Sequence, residues 1–288
     1  MLALAVSLAA SLAASQAAYA NMAAPAEADV GSSITFEKND TIAVTSEVLD
    51  IAVKGVKAEI TATYKMKNTS DEAVSTKTMF LSPNVEDSGI TVTAAGKPAP
   101  FTVESHVLTY ATEVKTNDWR YAVLSDDEAA SAGDSSQSVD SISFTMDFAP
   151  KEEYDVIVSY TYRLGGYPDY TFNAKYGRIE YYLAPAALWK DFEQLTVNLH
   201  LDKDMPVLKG SNLPFEKQGS RTYQYVSASL PEENLEITID ENWVQNIFST
   251  LRSPYFRMTI RFLSPLILLI AGIVLLVIIR RWKRKKTN

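Results

Sequence analysis

Apolar residues recur at every second position over most of this chain. Ile34 and Phe36, then Ile42 and Val44, keep that phase. Ile60, Ala62, Tyr64 and Met66 repeat it, with Glu59, Thr61, Thr63 and Lys65 opposite. A period of two with one polar face marks a half-buried strand. Turn-forming residues at 53–57 (VKGVK) and 68–72 (NTSDE) punctuate the runs. The same pattern predicts strands over 74–81, 89–95, 100–104 and 106–112. It resumes over 142–148, 154–164, 177–183, 192–201, 221–230 and 235–239, with one helical turn expected over 184–190. Strands at this spacing predict an all-β body of one or two antiparallel β-sandwiches.

Residues 113–138 interrupt the alternation. They are rich in Ser, Asp, Ala and Gly and read as an acidic loop or linker. A short helix over 125–131 fits within it, with Ser125 as cap and Glu128 three residues on. The linker separates a first sandwich-like domain, 21–112, from a second, 139–240. No internal repeat relates the two.

The period changes towards the C-terminus. Trp243, Ile247 and Leu251 recur every four residues, with Val244 and Phe248 alongside, which predicts a juxtamembrane amphipathic helix over 243–251. Such a helix fits the outer membrane interface, or packing on the last domain. Residues Phe262–Ile279 (FLSPLILLIAGIVLLVII) carry no charge. At ~1.5 Å per residue they match the hydrocarbon thickness, so one C-terminal transmembrane α-helix is expected. Pro265 falls in its first turn, where a missing N–H costs little. At the other end, residues 2–20 are small or apolar and close on Ala18-Tyr19-Ala20, so 1–20 reads as a signal peptide cleaved after Ala20. No Lys or Arg follows Met1 directly, which departs from the usual signal pattern.

Charge gives this layout a direction. The 288 residues hold 27 basic and 35 acidic side chains, a net of −8. The basic ones crowd the tail: Arg280, Arg281, Lys283, Arg284, Lys285 and Lys286 follow the apolar run, and no acidic residue follows position 251. Arg252, Arg257 and Arg261 precede the run. Tail 280–288 should therefore stay in the cytoplasm and the body outside it, in a single pass through the cell membrane. Trp243, Phe262, Ile279, Arg280, Arg281, Trp282, Lys283 and Arg284 are the expected anchoring residues, and the lipid bilayer is the expected partner. An acidic body would repel phosphates, so nucleic acid is not an expected partner.

Composition narrows the chemistry. Hydrophobic residues make up 47% and charged residues 22%, enough for a packed core. Zero cysteines exclude a disulfide scaffold, a thiol nucleophile, cysteine-ligated zinc and an iron–sulfur cluster. The two histidines, His106 and His200, argue against a metal site, and Asp202-Lys203-Asp204 lacks the glycine and terminal glutamate of a calcium loop. Nucleophile-elbow, phosphate-loop, zinc-helix and dinucleotide motifs are all absent, so no cofactor is expected. Leu230-Pro231-Glu232-Glu233-Asn234 is similar to a sortase signal, but Glu233 stands where Thr belongs.

Eight tyrosines fall between positions 154 and 182. Trp119, Tyr121, Tyr167, Tyr170 and Trp189 are the candidate ligand-binding residues, because flat rings with polar tips suit sugar stacking and protein contact. The competing reading is strand packing, which favours tyrosine for its shape alone. Paired acids are plentiful, but a glycosidase needs two carboxyls facing across a cleft, which sequence does not show.

The run DVGSSITFEKNDTIAVTSEVLDIAVKGVKAEITATYKMKNTSDEAV resembles the opening of a family of bacterial secreted or membrane-anchored β-sandwich proteins of unknown function. EYYLAPAALWKDFEQLTVNLHL and SLPEENLEITI are similar to that family too. The resemblance implies a β-rich ectodomain on a C-terminal anchor and no catalytic residue. The expected role is a non-catalytic binding or interaction module of the bacterial cell envelope, with an envelope protein or wall polysaccharide as partner. An envelope glycan-acting hydrolase and an accessory subunit of a membrane complex are the alternatives.

Overall fold

The computed structural model describes residues 22–25, 33–37, 39–86, 88–108, 120–124, 137–165, 175–183, 186, 188–231 and 233–286. The expected signal peptide, the helix at 125–131, and Trp119, Tyr167 and Tyr170 lie outside them, as does the side chain of Tyr121. The first strands are β1 (Met22–Pro25), β2 (Ser33–Glu37), β3 (Asn39–Lys54), β4 (Lys57–Asn68), β5 (Val74–Ser82), β6 (Thr91–Ala94), β7 (Lys97–Pro98), β8 (Phe101–Leu108) and β9 (Arg120–Leu124). Then come β10 (Gln137–Phe148), β11 (Glu153–Arg163), β12 (Tyr176–Tyr181), β13 (Trp189–Lys190), β14 (Gln194–His200), β15 (Val207–Ser211), β16 (Glu216–Lys217), β17 (Thr222–Ser227) and β18 (Leu235–Asp240). Two helices follow, α1 (Trp243–Arg252) and α2 (Pro254–Lys286).

The body is all-β. Its largest sheet runs β16-β17-β14-β3-β4-β11-β6-β7, with β13 also on β3. A closed ring runs β1-β2-β9-β8-β10-β5, and a three-stranded sheet runs β12-β18-β15. Long antiparallel pairs dominate: β3 with β4, β4 with β11, β5 with β10. Gly55, at φ +62°, makes the β3–β4 turn, a backbone region that other L-residues enter at a cost.

The expected layout is corrected in part. The division at 113–138 does not separate two sandwiches. β10 pairs β5 and β8, and β11 pairs β4 and β6, so strands from both stretches share sheets and one core. The pairing is antiparallel nearly throughout, as expected, with β14 lying parallel to β3 from Gln194↔Ser46 to His200↔Ala52. A parallel neighbour needs a long crossover, and here the intervening strands supply it. Within the expected linker, β9 and the start of β10 are strands, and the helical turn expected at 184–190 ends in β13.

A phase change in β3 decides what the core contains. Ile42 and Val44 point inward, but the register with β4 shifts between Val44 and Ser46. A bulge adds one residue and moves the side-chain alternation to the other parity. Beyond it Glu47, Leu49, Ile51 and Val53 are the buried set. Glu47 therefore enters the core in step with three aliphatic residues.

The C-terminal helices depart from the sequence reading in one respect. α2 begins at Pro254 rather than near Phe262, which places Pro265 in the helix interior. Proline there removes a backbone bond and clashes with the carbonyl four residues back. The helix bends by 44° between Pro254–Leu266 and Leu268–Arg280. Arg261 O, the carbonyl that loses its N–H, accepts a 2.8 Å bond from Ser264 Oγ instead. Among the described residues no single straight helix is long and apolar enough to cross a membrane, while this bent pair meets the requirement by length and composition.

Candidate functional site

Among the described residues, a polar cleft of about 510 Å³ opens where the end of β5, β8, β10 and the end of β11 meet. Asn84, Val85, Ser105, Asp140, Arg163, Leu164 and Gly165 line it. Strand pairing sets two of these opposite each other, Asp140 on β10 against Ser105 on β8. Ser105 Oγ donates to Asp140 Oδ1 at 2.6 Å, and Val85 N to Asp140 Oδ2 at 3.2 Å. From the other wall, Arg163 Nη2 donates to Val85 O at 3.1 Å and Arg163 N to Asn84 O at 2.9 Å. Asn84, in the left-handed region at φ +59°, turns the chain so that both carbonyls face β11.

The carboxylate is thus held by two donors and the guanidinium by a backbone carbonyl. Each keeps hydrogen-bonding capacity to spare, because a carboxylate can take about four bonds and a guanidinium offers five N–H groups. A cleft with one fixed acceptor and one fixed cation suits a polar ligand that offers both a donor and an anionic or carbonyl oxygen.

Behind the cleft lies a buried polar chain. Asn84 Nδ2 donates to Tyr162 Oη at 3.3 Å, and Ser82 Oγ lies 3.0 Å from Tyr160 Oη. Deeper in, Tyr181 Oη donates to Glu47 Oε1 at 2.7 Å, which leaves Tyr64 to donate to Tyr181 Oη at 2.9 Å. Glu47 is 1% exposed and its Oε2 has no partner in the structure. Burial raises its carboxyl pKa to about 7, against the bond from Tyr181 that favours ionisation. Burial also pushes both tyrosine hydroxyls well up, and the nearby carboxylate adds to the effect. The Phe80 ring meets Tyr160 edge-on at 5.4 Å and closes the network off with apolar surface.

The structure distributes the expected aromatic residues unevenly. Trp189 is 3% exposed and belongs to the core, packed beside β3. Tyr160, Tyr162, Tyr181 and Tyr182 are buried, and Tyr154 stacks on Phe148 at 4.2 Å. The described tyrosines of the 154–182 run therefore pack strands. Tyr121 stands on β9, and the other three aromatic candidates, Trp119, Tyr167 and Tyr170, lie outside the described residues. Sequence reasoning missed Asn84, Ser105, Asp140 and Arg163 because their convergence comes from long-range pairing. Glu47 did leave a signal, as an acid in phase with Leu49, Ile51 and Val53.

Among the residues expected from sequence to anchor the chain, Trp243 is 76% and Phe262 77% exposed, and Ile279, Arg280 and Trp282 are exposed on α2. Arg281, Lys283 and Arg284 fall on the same helix. Among the described residues no group of three or more histidine and acidic side chains gathers as a metal site.

No family model matches the chain, and no curated protein matches it. Among solved structures it is similar to a Legionella pneumophila protein described as a "putative nutrient binding protein", with 15% identity, a TM-score of 0.49, and coverage of 82% of this chain and 77% of that one. It is also similar to native yeast LTA4 hydrolase, with 12% identity, a TM-score of 0.40, and coverage of 72% of this chain and 30% of that one.

Proposed function

We propose that the chain is a membrane-anchored, non-catalytic binding module of the bacterial cell envelope. In this reading its β body is outside the cytoplasm and its basic tail inside. The observation that carries the anchoring is α2: from Phe262 to Ile279 its large apolar side chains with described exposure are more than two-fifths exposed. Water does not tolerate an apolar patch of that length, whereas hydrocarbon does. The Pro265 bend is compatible with a membrane because Ser264 satisfies the freed carbonyl internally. Six basic residues after Ile279 hold that end on the cytoplasmic side.

Binding is supported by the cleft. Asp140 and Arg163 present opposite charges across about 510 Å³, a volume that admits a small polar group of an envelope polymer or a partner's side chain. The test is site-specific photo-crosslinking of the full chain in intact cells. A photoreactive residue at Ser105 is expected to capture a discrete envelope species, and Arg163→Ala to abolish that capture. The same reporter at Glu216, on the far edge strand β16, is expected to capture none of it. Equal capture from 105 and 216, or capture that survives the loss of Arg163, would overturn the cleft as the binding site.

A further inference from the structure

Helix α1 shows two faces with different fates. Trp243, Val244, Ile247, Phe248 and Leu251 fall within one arc at 100° per residue, and all five are exposed. No residue of α1 is buried. Among the described residues of the body, none buries the apolar face.

The opposite side is fastened to the body. Asn242 caps the helix, its side chain accepting from Gln245 N at 3.0 Å while Gln245 Oε1 accepts from Asn242 N at 3.0 Å. Gln245 Nε2 reaches on to Lys203 O at 2.8 Å, in the loop between β14 and β15. One turn later Ser249 Oγ donates to Glu241 Oε1 at 2.8 Å, just after β18. Glu241 N in turn bonds Lys175 O at 3.3 Å, next to β12. A helix tied by Gln245 to the β14–β15 loop, and by Ser249 to a Glu241 that is itself bonded to Lys175, is not a loose linker. Its apolar face has a fixed direction.

That face is continuous with the span. Only Ser253 separates α1 from α2, whose first turns expose Tyr255 and Met258. Arg252, Arg257 and Arg261 flank the junction, and no acidic residue follows Glu241.

We propose that α1 is a lipid-binding element that lies on the outer leaflet, its apolar face in the headgroup–acyl boundary and its arginines on anionic phospholipid headgroups. This rests on the membrane-anchored reading and adds that the body is clamped to the bilayer surface rather than swinging on a tether. The edge of the cleft is then close to that surface. Gly165 bridges Arg178 on β12, three residues from Lys175 at the clamped end, ~10 Å along the strand at about 3.4 Å per residue.

The chain has no native cysteine, so single labels are unambiguous. The full chain carries one spin label at Phe248→Cys, Leu251→Cys, Leu269→Cys or Glu216→Cys. It is placed one copy per nanodisc, in phosphatidylcholine with or without phosphatidylglycerol. Collision rates with oxygen and with a water-soluble nickel complex report depth. Labels at 248 and 251 are expected to be shielded from nickel several-fold relative to 216, and more deeply with phosphatidylglycerol. Nickel-accessible labels at both 248 and 251, with 269 shielded, would overturn the clamp while the anchor stood. Accessible labels at 269 as well would remove the anchor and the clamp together.

Discussion

Replacing Glu47 by glutamine tests the buried network most sharply. Glu47 titrates near 4.5 in the unfolded chain and about 7 in the fold, where burial disfavours the charged form. The native state therefore holds its proton more tightly. The sign follows: the fold carries no penalty from this group below pH 4.5, loses stability as pH rises, and bears the whole penalty above pH 7. At 1.36 kcal/mol per pH unit the full penalty is ~3 kcal/mol. In Glu47→Gln the amide oxygen still accepts from Tyr181 and cannot ionise. Its NH2 sits where Oε2 has no partner, which adds a cost of about 1–3 kcal/mol that does not change with pH. The slope is thus the readout, not the absolute stability. Thermal unfolding of the full chain in one detergent, followed by near-ultraviolet circular dichroism from pH 4 to 9, gives both curves. The variant should gain on the wild type by ~3 kcal/mol across this range, or about 6–12 °C in midpoint for a body of this size. Parallel curves would refute the reasoning.

Other perturbations follow from the same geometry. Tyr181→Phe removes the donor to Glu47 Oε1; it should cost about 1.5–3 kcal/mol at pH 8, less at pH 4, and push the Glu47 pKa further up, as read by the same melts. Asn242→Ala deletes the side-chain half of the capping box, the bond that Gln245 N donates, and should cost ~1 kcal/mol of α1 stability, seen as faster amide exchange over 243–251 with β3 and β4 unchanged. Pro265→Ala restores the N–H that Arg261 O lacks; the angle between the halves of α2 should fall well below 44°, measured by spin-label distances across the bend. An unchanged angle would show that something other than Pro265 sets it.

Much of the fold was legible in the alternation. β4, β11, β14 and β18 each fall on a run where apolar residues keep a period of two, because each buries one face. Two features of β3 were not legible. The shift at Thr45 changes parity without any glycine or proline to announce it, and the parallel partner β14 is set by a crossover of more than a hundred residues. The aromatic run was legible in two ways, and its described strand follows the packing one: Tyr160 and Tyr162 alternate in phase with Val156 and Val158, and all four are buried. The cleft residues carry no local pattern. Asp140 and Arg163 lie on interior strands of two different sheets, and only the tertiary fold brings them to one cleft. In α2 the apolar composition was plain, while the start at Pro254 depended on the chain turning at Ser253.

The central claim is a body outside the membrane and a tail inside it, and cysteine labelling of intact cells tests it most directly. The full chain, with no cysteine of its own, carries Lys217→Cys on β16 or Thr287→Cys in the tail. An impermeant maleimide should label 217 on intact cells and reach 287 only after lysis. Labelling of 287 on intact cells with 217 protected, or protection of both, would contradict it.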